Sequence, residues 1–457
     1  MGGMTGRLPD GRWLLPDGRC VLPGNRWDLA PRDVDPPTVS VVVPFYEQQP
    51  QLELVLAALS VQTHPATRLQ VVVADDGSSV PPDVGALEGT VVVRQEDRGF
   101  RAAAARNLGA RAADGSVLCF LDADTVPEPT YVDRAVRLSA GAADVVAVGR
   151  RRHADLAGWS PSRLLEWFDG GAAPTELTEP RWLRDAYRES DDLLHADHRS
   201  YRHVISAVLT CERDFFWAVG GFDEGFVGYG GEDWEFAARA WERGGVLAHV
   251  AEAVAWHDGP DWAERSTSDR VGKNAEALAL ASRITDPAAR RHGIRFALPD
   301  VRVVVDTDGH SAATLLVTVG AVLRDLDATI HLVGENAGAL RASWGDADPR
   351  IVLGTPGTGA RSRIVVHIRR PITAEPGALG DRVAELDDHR AGRLDVVAGD
   401  DVIVEIRSVR ADARAQRHAA ALACDAATLA EELFPVLRRD VATTALELLD
   451  EEPRLDW

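Results

Sequence analysis

Between Thr38 and Asp124, short apolar runs alternate with segments of helical period, and this alternation restricts the fold more than any other feature of the chain. The runs TVSVVVPFY, LQVVVADDG, TVVVRQED and SVLCFLDAD are rich in β-branched residues, and LELVLAALSVQTH and RAAAARNLGARAA carry apolar residues at helical spacing. Strands joined through helices imply right-handed crossovers and a mainly parallel sheet covered on both faces. The expected class is α/β with a Rossmann-like sheet. Ligands of such sheets bind beyond the carboxyl ends of the strands. Asp75-Asp76 and Asp122-Ala123-Asp124 both fall at that edge.

The texture on either side differs. Residues 1–37 repeat apolar residues followed by Pro-Asp-Gly or Pro-Gly-Asn, a turn signal that predicts a short hairpin arm. Residues 38–298 form the main α/β unit, with GGVLAHVAEAVAWHDG read as a closing strand pair that ends at His257. Residues 299–457 form a second, smaller α/β unit. Its strands lie in VRVVVD, PRIVLG, SRIVVHIRRP and DDVIVEIRSV, and terminal helices are expected from Ala421 to Glu452.

Composition excludes several function classes. The formal net charge of −21 disfavours nucleic acid, whose phosphates need a basic surface, and anionic membranes as well. The four cysteines are scattered without a C-x-x-C pair, so neither a zinc knuckle nor a disulfide framework is indicated. No signal segment appears and no apolar run approaches the ~20 residues of a membrane span, so a soluble, cytoplasmic protein is expected. Lys273 is the only lysine; arginine supplies the other positive charges.

The stretch GGFDEGFVGYGGEDWEFAARAWERGG, residues 220–245, holds Asp223-Glu224 and Glu232-Asp233 among eight glycines. Trp234, Ala237, Ala238 and Trp241 follow at helical spacing, so the second pair sits at a helix start. An acid there can cap the helix and complement its dipole, or it can belong to a site. Asp122 and Asp124 close an apolar strand, and two carboxylates one residue apart on a turn can reach one divalent cation. The same pattern also caps helices and turns.

Taken together, VSVVVPFYEQ, VVVADDGSS, DRGFRAAAARNLGA, CFLDADTVPEP, GGFDEGFVGYGGEDWEFAAR and WHDG occur in the order found in nucleotide-sugar glycosyltransferases of family 2, of GT-A fold, which Thr38 to about Gly259 resembles. The Gly-Gly-Glu-Asp-Trp-Glu segment is similar to the signature of β-galactosyltransferases and chondroitin-polymerase-type enzymes. The resemblance implies a UDP-sugar donor, contacted by Pro44, Tyr46, Glu47, Asp76, Arg101, Arg106, Asn107, Asp122 and Ala123, with Asp76 reading the uracil. It implies a manganese or magnesium ion held by Asp124, His257 and Asp122, the imidazole favouring manganese over calcium. It implies Asp233 as catalytic base and Glu232 as the acid holding the acceptor, with Tyr229 and Trp234 offering faces to sugar rings and Gly228, Gly230 and Gly231 letting the loop close. An inverting transfer to a small-molecule, peptide or soluble glycan acceptor is expected. A retaining transfer of the polypeptide N-acetylgalactosaminyltransferase type and a non-catalytic scaffold are the alternatives. The second unit is expected to be a degenerate transferase half, an accessory domain or a homodimerisation surface. Its Asp306 and Asp308 follow a first strand rather than a later one, which argues against a second catalytic centre.

Overall fold

The computed structural model describes residues 6–455 apart from 86, 88, 229, 261–269, 287–289, 291–293, 346–347 and 358–360. Contacts divide the chain into two units: residues up to 241 with 245–280, and residues 242–244 with 281 onward. The break thus precedes Pro299. Ile284, Thr285 and Asp286 are buried, and Arg290 pairs with Asp327 at 2.9 Å, so this stretch packs as part of the second unit.

The N-terminal arm is a three-stranded antiparallel sheet, β1 (Gly6–Arg7), β2 (Trp13–Leu14) and β3 (Cys20–Val21). Its two Pro-Asp-Gly-Arg turns repeat one hydrogen-bond pattern: Arg12 and Arg19 each donate through Nε to the aspartate two residues earlier, both at 2.8 Å. The arm belongs to the first unit. Asn25, at its end, donates to the carbonyls of Leu193 and Leu247 at 2.7 and 2.8 Å.

The main sheet has nine strands. β4 (Val39–Phe45), β5 (Leu69–Asp75), β6 (Thr90–Arg94) and β7 (Val117–Leu121) are mutually parallel, in the order β6-β5-β4-β7. The sheet continues through antiparallel β11 (Val208–Glu212), then β9 (Val145–Asp155), β12 (Val246–Asp258) and β8 (Thr125–Pro127), with β10 (Thr175–Leu177) on the side of β9. β4 and β7 are buried almost throughout, as expected of strands covered on both faces. Helix α1 (Gln49–Ser60) and α2 (Ala102–Arg111) are the predicted crossovers. Gly109 lets α2 lie directly on the sheet, since a Cβ there would stand 2.4 Å from Val42 Cγ1. Further helices are α3 (Tyr131–Gly141), α4 (Pro161–Phe168), α5 (Arg181–Glu189), α6 (Arg213–Val219), α7 (Glu232–Glu242) and α8 (Arg270–Ala281).

Two expectations are corrected. The predicted strand pair at 246–258 is the single strand β12, whose register against β9 jumps between Val250 and Val254. Ala-Glu-Ala at 251–253 offers no turn residue, so the chain bulges instead of reversing. The predicted terminal helix stops at Leu433, before Phe434-Pro435, because the residue before a proline avoids helical angles. Val436–Asp440 then pairs parallel with Arg393–Ala398, and Leu446–Leu448 pairs with Ile372–Ala374. The second unit otherwise follows its pattern, a seven-stranded sheet around the buried strands Val301–Asp306 and Ile364–Ile368. Among the described residues no helix is long and apolar enough to cross a membrane.

Candidate active site

β5 ends on Asp75 and β7 on Leu121, so both acidic turns project from the carboxyl edge of the parallel strands. At the second turn the Thr125 amide donates to the Asp122 carbonyl at 3.0 Å, which points the two aspartates in different directions. Asp122 meets Arg106 of α2, with Nη2 to Oδ1 at 2.7 Å. The same guanidinium donates through Nη1 to Glu232 Oε1 at 2.9 Å. Arg106 is 4% exposed, so this bridge is a buried one. The resemblance implies a nucleotide contact for Arg106; in the structure it is the tie between the D-x-D turn and the start of α7. Two carboxylates around the buried guanidinium hold it firmly protonated against the cost of desolvation.

Glu232 and Asp233 open α7, and neither caps it in the ordinary way. Asp233 Oδ1 accepts the amide of the next residue, Trp234, at 2.8 Å, and Oδ2 faces the Ser206 amide at 3.4 Å. Burial, and then the neighbouring charge of Glu232, push the Asp233 carboxyl up to about 7. The second oxygen of Glu232, Oε2, is buried without a hydrogen-bond partner. A carboxylate oxygen desolvated in this way favours an arriving hydroxyl. Both acids line a cleft of about 510 Å³, together with Asp122, Arg106, Ser206 and Trp234. Gly230 and Gly231, both at φ +94°, form the lip; a Cβ on Gly230 would press on the carboxyl of Glu276, 2.9 Å away.

Asp124 turns to β12. His257 Nε2 stands 3.4 Å from Asp124 Oδ2, and His257 Nδ1 faces the Gly259 carbonyl at 3.2 Å. A carbonyl only accepts, so Nδ1 carries a proton, and Nε2, the ring nitrogen turned to the carboxylate, is the one a cation between the two side chains would take. Two lone-pair donors at that spacing suit a shared cation. Although burial opposes ionisation, His257 and Arg151 hold the Asp124 carboxyl below its ordinary value. Among the described residues no three His, Cys, Asp or Glu side chains gather as a complete metal site, so Asp124 and His257 would be joined by ligand oxygens. Ala123, between the aspartates, is buried.

Of the nucleotide-contacting candidates only Arg106 and Asp122 line that cleft; Pro44, Tyr46, Glu47, Asp76, Arg101 and Asn107 do not. Asp76 is 5% exposed and accepts from Gln95 Nε2 at 2.5 Å and the Arg101 amide at 2.8 Å. Arg101 reaches back to the Glu96 carbonyl at 2.6 Å. Pro44 is half-buried at the end of β4, and Tyr46 beyond it is 44% exposed. Glu47, at φ 53°, accepts the Ser79 amide at 2.6 Å while its own amide donates to Ser78 Oγ at 3.1 Å. It staples the first loop to the second. Asn107 differs from expectation: its amide exchanges hydrogen bonds with Phe222 N and O at 2.9 and 2.8 Å, and contacts Glu224 at 3.0 Å. It therefore faces the 221–224 loop, because one turn position separates it from Arg106 on α2. Tyr229 lies outside the described residues.

Three charged residues of the cleft escaped the sequence reading. Arg151 lies in the half-buried stretch of β9, and Lys273 and Glu276 come from α8. Only Lys273 carried a signal, as the single lysine of the chain.

Residues 40–196 match the family described as Glycosyl transferase family 2, and residues 195–255 match the one described as N-terminal domain of galactosyltransferase. A chondroitin synthase of Escherichia coli is 28% identical over 267 residues, covering 54% of this chain and 38% of its own length. A validoxylamine A glucosyltransferase of Streptomyces hygroscopicus subsp. limoneus is 33% identical over 220 residues, covering 44% and 48%. The chain thus spans half or less of the length of these curated relatives. Among solved structures, the mannosyltransferase PcManGT from Pyrobaculum calidifontis, in complex with GDP-Man and Mn2+, is 21% identical with a TM-score of 0.37, covering 57% of this chain and 67% of that one.

Proposed function

We propose, from the premise that residues 40–196 are a family 2 glycosyl transferase domain of GT-A fold continued to residue 255 by a galactosyltransferase-type segment, that this protein moves a sugar from a UDP-sugar to an acceptor hydroxyl with inversion at the anomeric carbon. The observation that carries the reading is the buried bridge Asp122–Arg106–Glu232, which brings the D-x-D turn and the acidic start of α7 to one cleft.

In this reading the uracil lies against Asp76. Asp124 and His257 would hold a divalent ion, manganese or magnesium, which would supply charge stabilisation for the departing nucleoside diphosphate. Glu232 Oε2 accepts a hydrogen bond from the acceptor and orients it. Asp233 takes the proton of the attacking hydroxyl as the new glycosidic bond forms. A carboxyl pushed up to about 7 is a stronger base than an ordinary aspartate and still ionises near neutral pH. Arg106, hydrogen-bonded to both Glu232 and Asp122, fixes the spacing of the α7 acids from the donor edge. Trp234, half-buried on the cleft wall and edge-on to Tyr201 at 6.3 Å, supports a sugar ring from the side.

The test is a screen of UDP-sugars for manganese-dependent release of UDP, followed by NMR of the product anomer. Release from one UDP-sugar, lost in Asp233→Asn, with inverted configuration is the expected result. A product that keeps the donor configuration would replace the inverting step by a retaining one. Equal release by the wild type, Asp124→Asn and Asp233→Asn would remove the catalytic reading.

A further inference from the structure

A second cavity, of about 200 Å³, adjoins the cleft and shares one wall residue with it, Arg151. At its base lies His249 on β12, 6% exposed. Three independent features converge on that imidazole. Asp192 grips it twice, accepting the His249 amide at its carbonyl (2.9 Å) and the Nδ1–H at its carboxylate (2.7 Å). Tyr187 of α5 stacks flat on the ring, with centroids 3.7 Å apart and planes within 6°. The other ring nitrogen, Nε2, is buried without a hydrogen-bond partner.

The backbone bears strain to achieve this. Asp191, Asp192 and Leu193 are consecutive non-glycine residues at φ 52°, 52° and 68°, a left-handed run that L-residues avoid and that clusters at functional positions. The N-terminal arm braces it, since Asn25 accepts from Leu247 two residues before His249 and donates to Leu193. The β12 bulge begins just after His249 and carries Ala251 into the cavity wall. The remaining wall is predominantly cationic. Arg184 and Arg188 come from α5, where both pair with the exposed Asp185 at 3.8 and 3.0 Å and Arg188 also with Glu189 at 3.5 Å, and Arg150 comes from β9; the acids facing the cavity are Glu179, paired with Arg150 at 2.7 Å, and Asp192, already bound to His249.

We propose that this cavity is an oxyanion subsite, in which His249 Nε2 and the α5 arginines hold a carboxylate or phosphate. Asp192 occupies Nδ1, so that Nε2 is left for the anion and, when it carries a proton, donates to it, and the guanidinium groups complete a charge-assisted set of donors. Because Arg151 is common to both cavities, the anion is assigned to an acidic group of the acceptor whose hydroxyl lies at Asp233. That last assignment rests on the proposed function; oxyanion binding itself does not.

The test uses the full chain, titrated calorimetrically with inorganic phosphate and separately with acetate, while the His249 ring nitrogens are followed by NMR. The variants are Arg184→Ala, at the exposed rim, His249→Gln, and Asp122→Asn in the other cavity. Saturable binding of one anion, moving the His249 Nε2 resonance and weakened about tenfold or more in Arg184→Ala and His249→Gln, is expected. Whichever anion binds tighter identifies the group, and saturating UDP should not displace it. Binding should survive in Asp122→Asn even if sugar transfer does not, which separates this subsite from the fate of the catalytic reading. No saturable binding of either anion, or binding undiminished in both Arg184→Ala and His249→Gln, would overturn the proposal.

Discussion

The chain contains two Asp-x-Asp turns at the ends of buried parallel strands, and they have become different objects. Asp122-Ala123-Asp124 is opened outward: Arg106 draws the first carboxylate to one side, His257 faces the second, and α7 adds two more acids. Asp306-Thr307-Asp308 is closed on itself. The Asp308 amide donates to Asp306 Oδ1 at 3.0 Å, and Thr307 Oγ1 donates to the Val333 carbonyl at 2.8 Å. The chain then enters a helix at Ser311, which with Thr314 forms a reciprocal capping box. Its neighbouring imidazole, His310, is pushed down to about 4 by burial against only partial opposition from Asp306, and it contacts Thr314 within its own turn. The local motif is thus the same, and what distant elements bring to it decides whether it is a site or a connection.

Several experiments break or sharpen that contrast. The largest effect is expected at Asp124 and Asp233. Asp124→Asn or Asp233→Asn should lower kcat by roughly 10²–10⁴-fold in a UDP-sugar transfer assay, whereas Asp306→Asn and Asp308→Asn should leave it within about twofold. A comparable loss in the second pair would mean that both turns work on substrate. Next comes Arg106. Replacing it with leucine strands Glu232 as a buried acid and leaves the half-buried Asp122 unpaired, and chemical denaturation should report a loss of about 3 kcal/mol. A neutral result would show the bridge to be incidental.

Smaller and opposite in sign is the effect of Asp233→Asn on stability. Its carboxyl titrates near 7 when folded and near 3.8 when unfolded, so the folded protein keeps a proton that the unfolded chain loses. Stability from this group is therefore present below pH 4 and is lost as pH rises through 7. The asparagine variant should be more stable by about 1–3 kcal/mol at pH 8, discounted for the partial exposure of the group, and indistinguishable at pH 4. In the active wild type the same ionisation predicts a kcat/KM that falls as pH drops below about 7. The smallest effect belongs to the connection. Ser311→Ala removes one arm of the capping box and should cost about 1 kcal/mol in thermal unfolding without changing transfer.

Legibility from sequence follows the same division. Unbroken β-branched and apolar runs revealed the strands that end on Asp75 and Leu121, since burial on both faces imposes such a run. Those ends in turn located the acids, and the spacing after Asp233 located α7. What lies across the chain was not legible. Nothing local distinguishes Arg106, which reaches a residue 126 positions away, from Asn107 beside it, which clamps Phe222 instead. Helix α8 brings Lys273 and Glu276 to the cleft by its path alone. The His249–Asp192 pair rests on a left-handed turn that no glycine or asparagine announces. The helix expected beyond Leu433 failed because one proline outweighed a run of good helix formers.

The association at stake is that of Asp124 and His257 with the cleft under Asp233, and calorimetric titration with UDP, in the presence and absence of Mn2+, probes it most directly. The wild type should bind UDP at least tenfold more tightly with the metal, and His257→Ala and Asp124→Asn should each abolish that gain while Asp308→Asn keeps it. UDP affinity that is indifferent to the metal, or a gain that survives without both Asp124 and His257, would contradict the account.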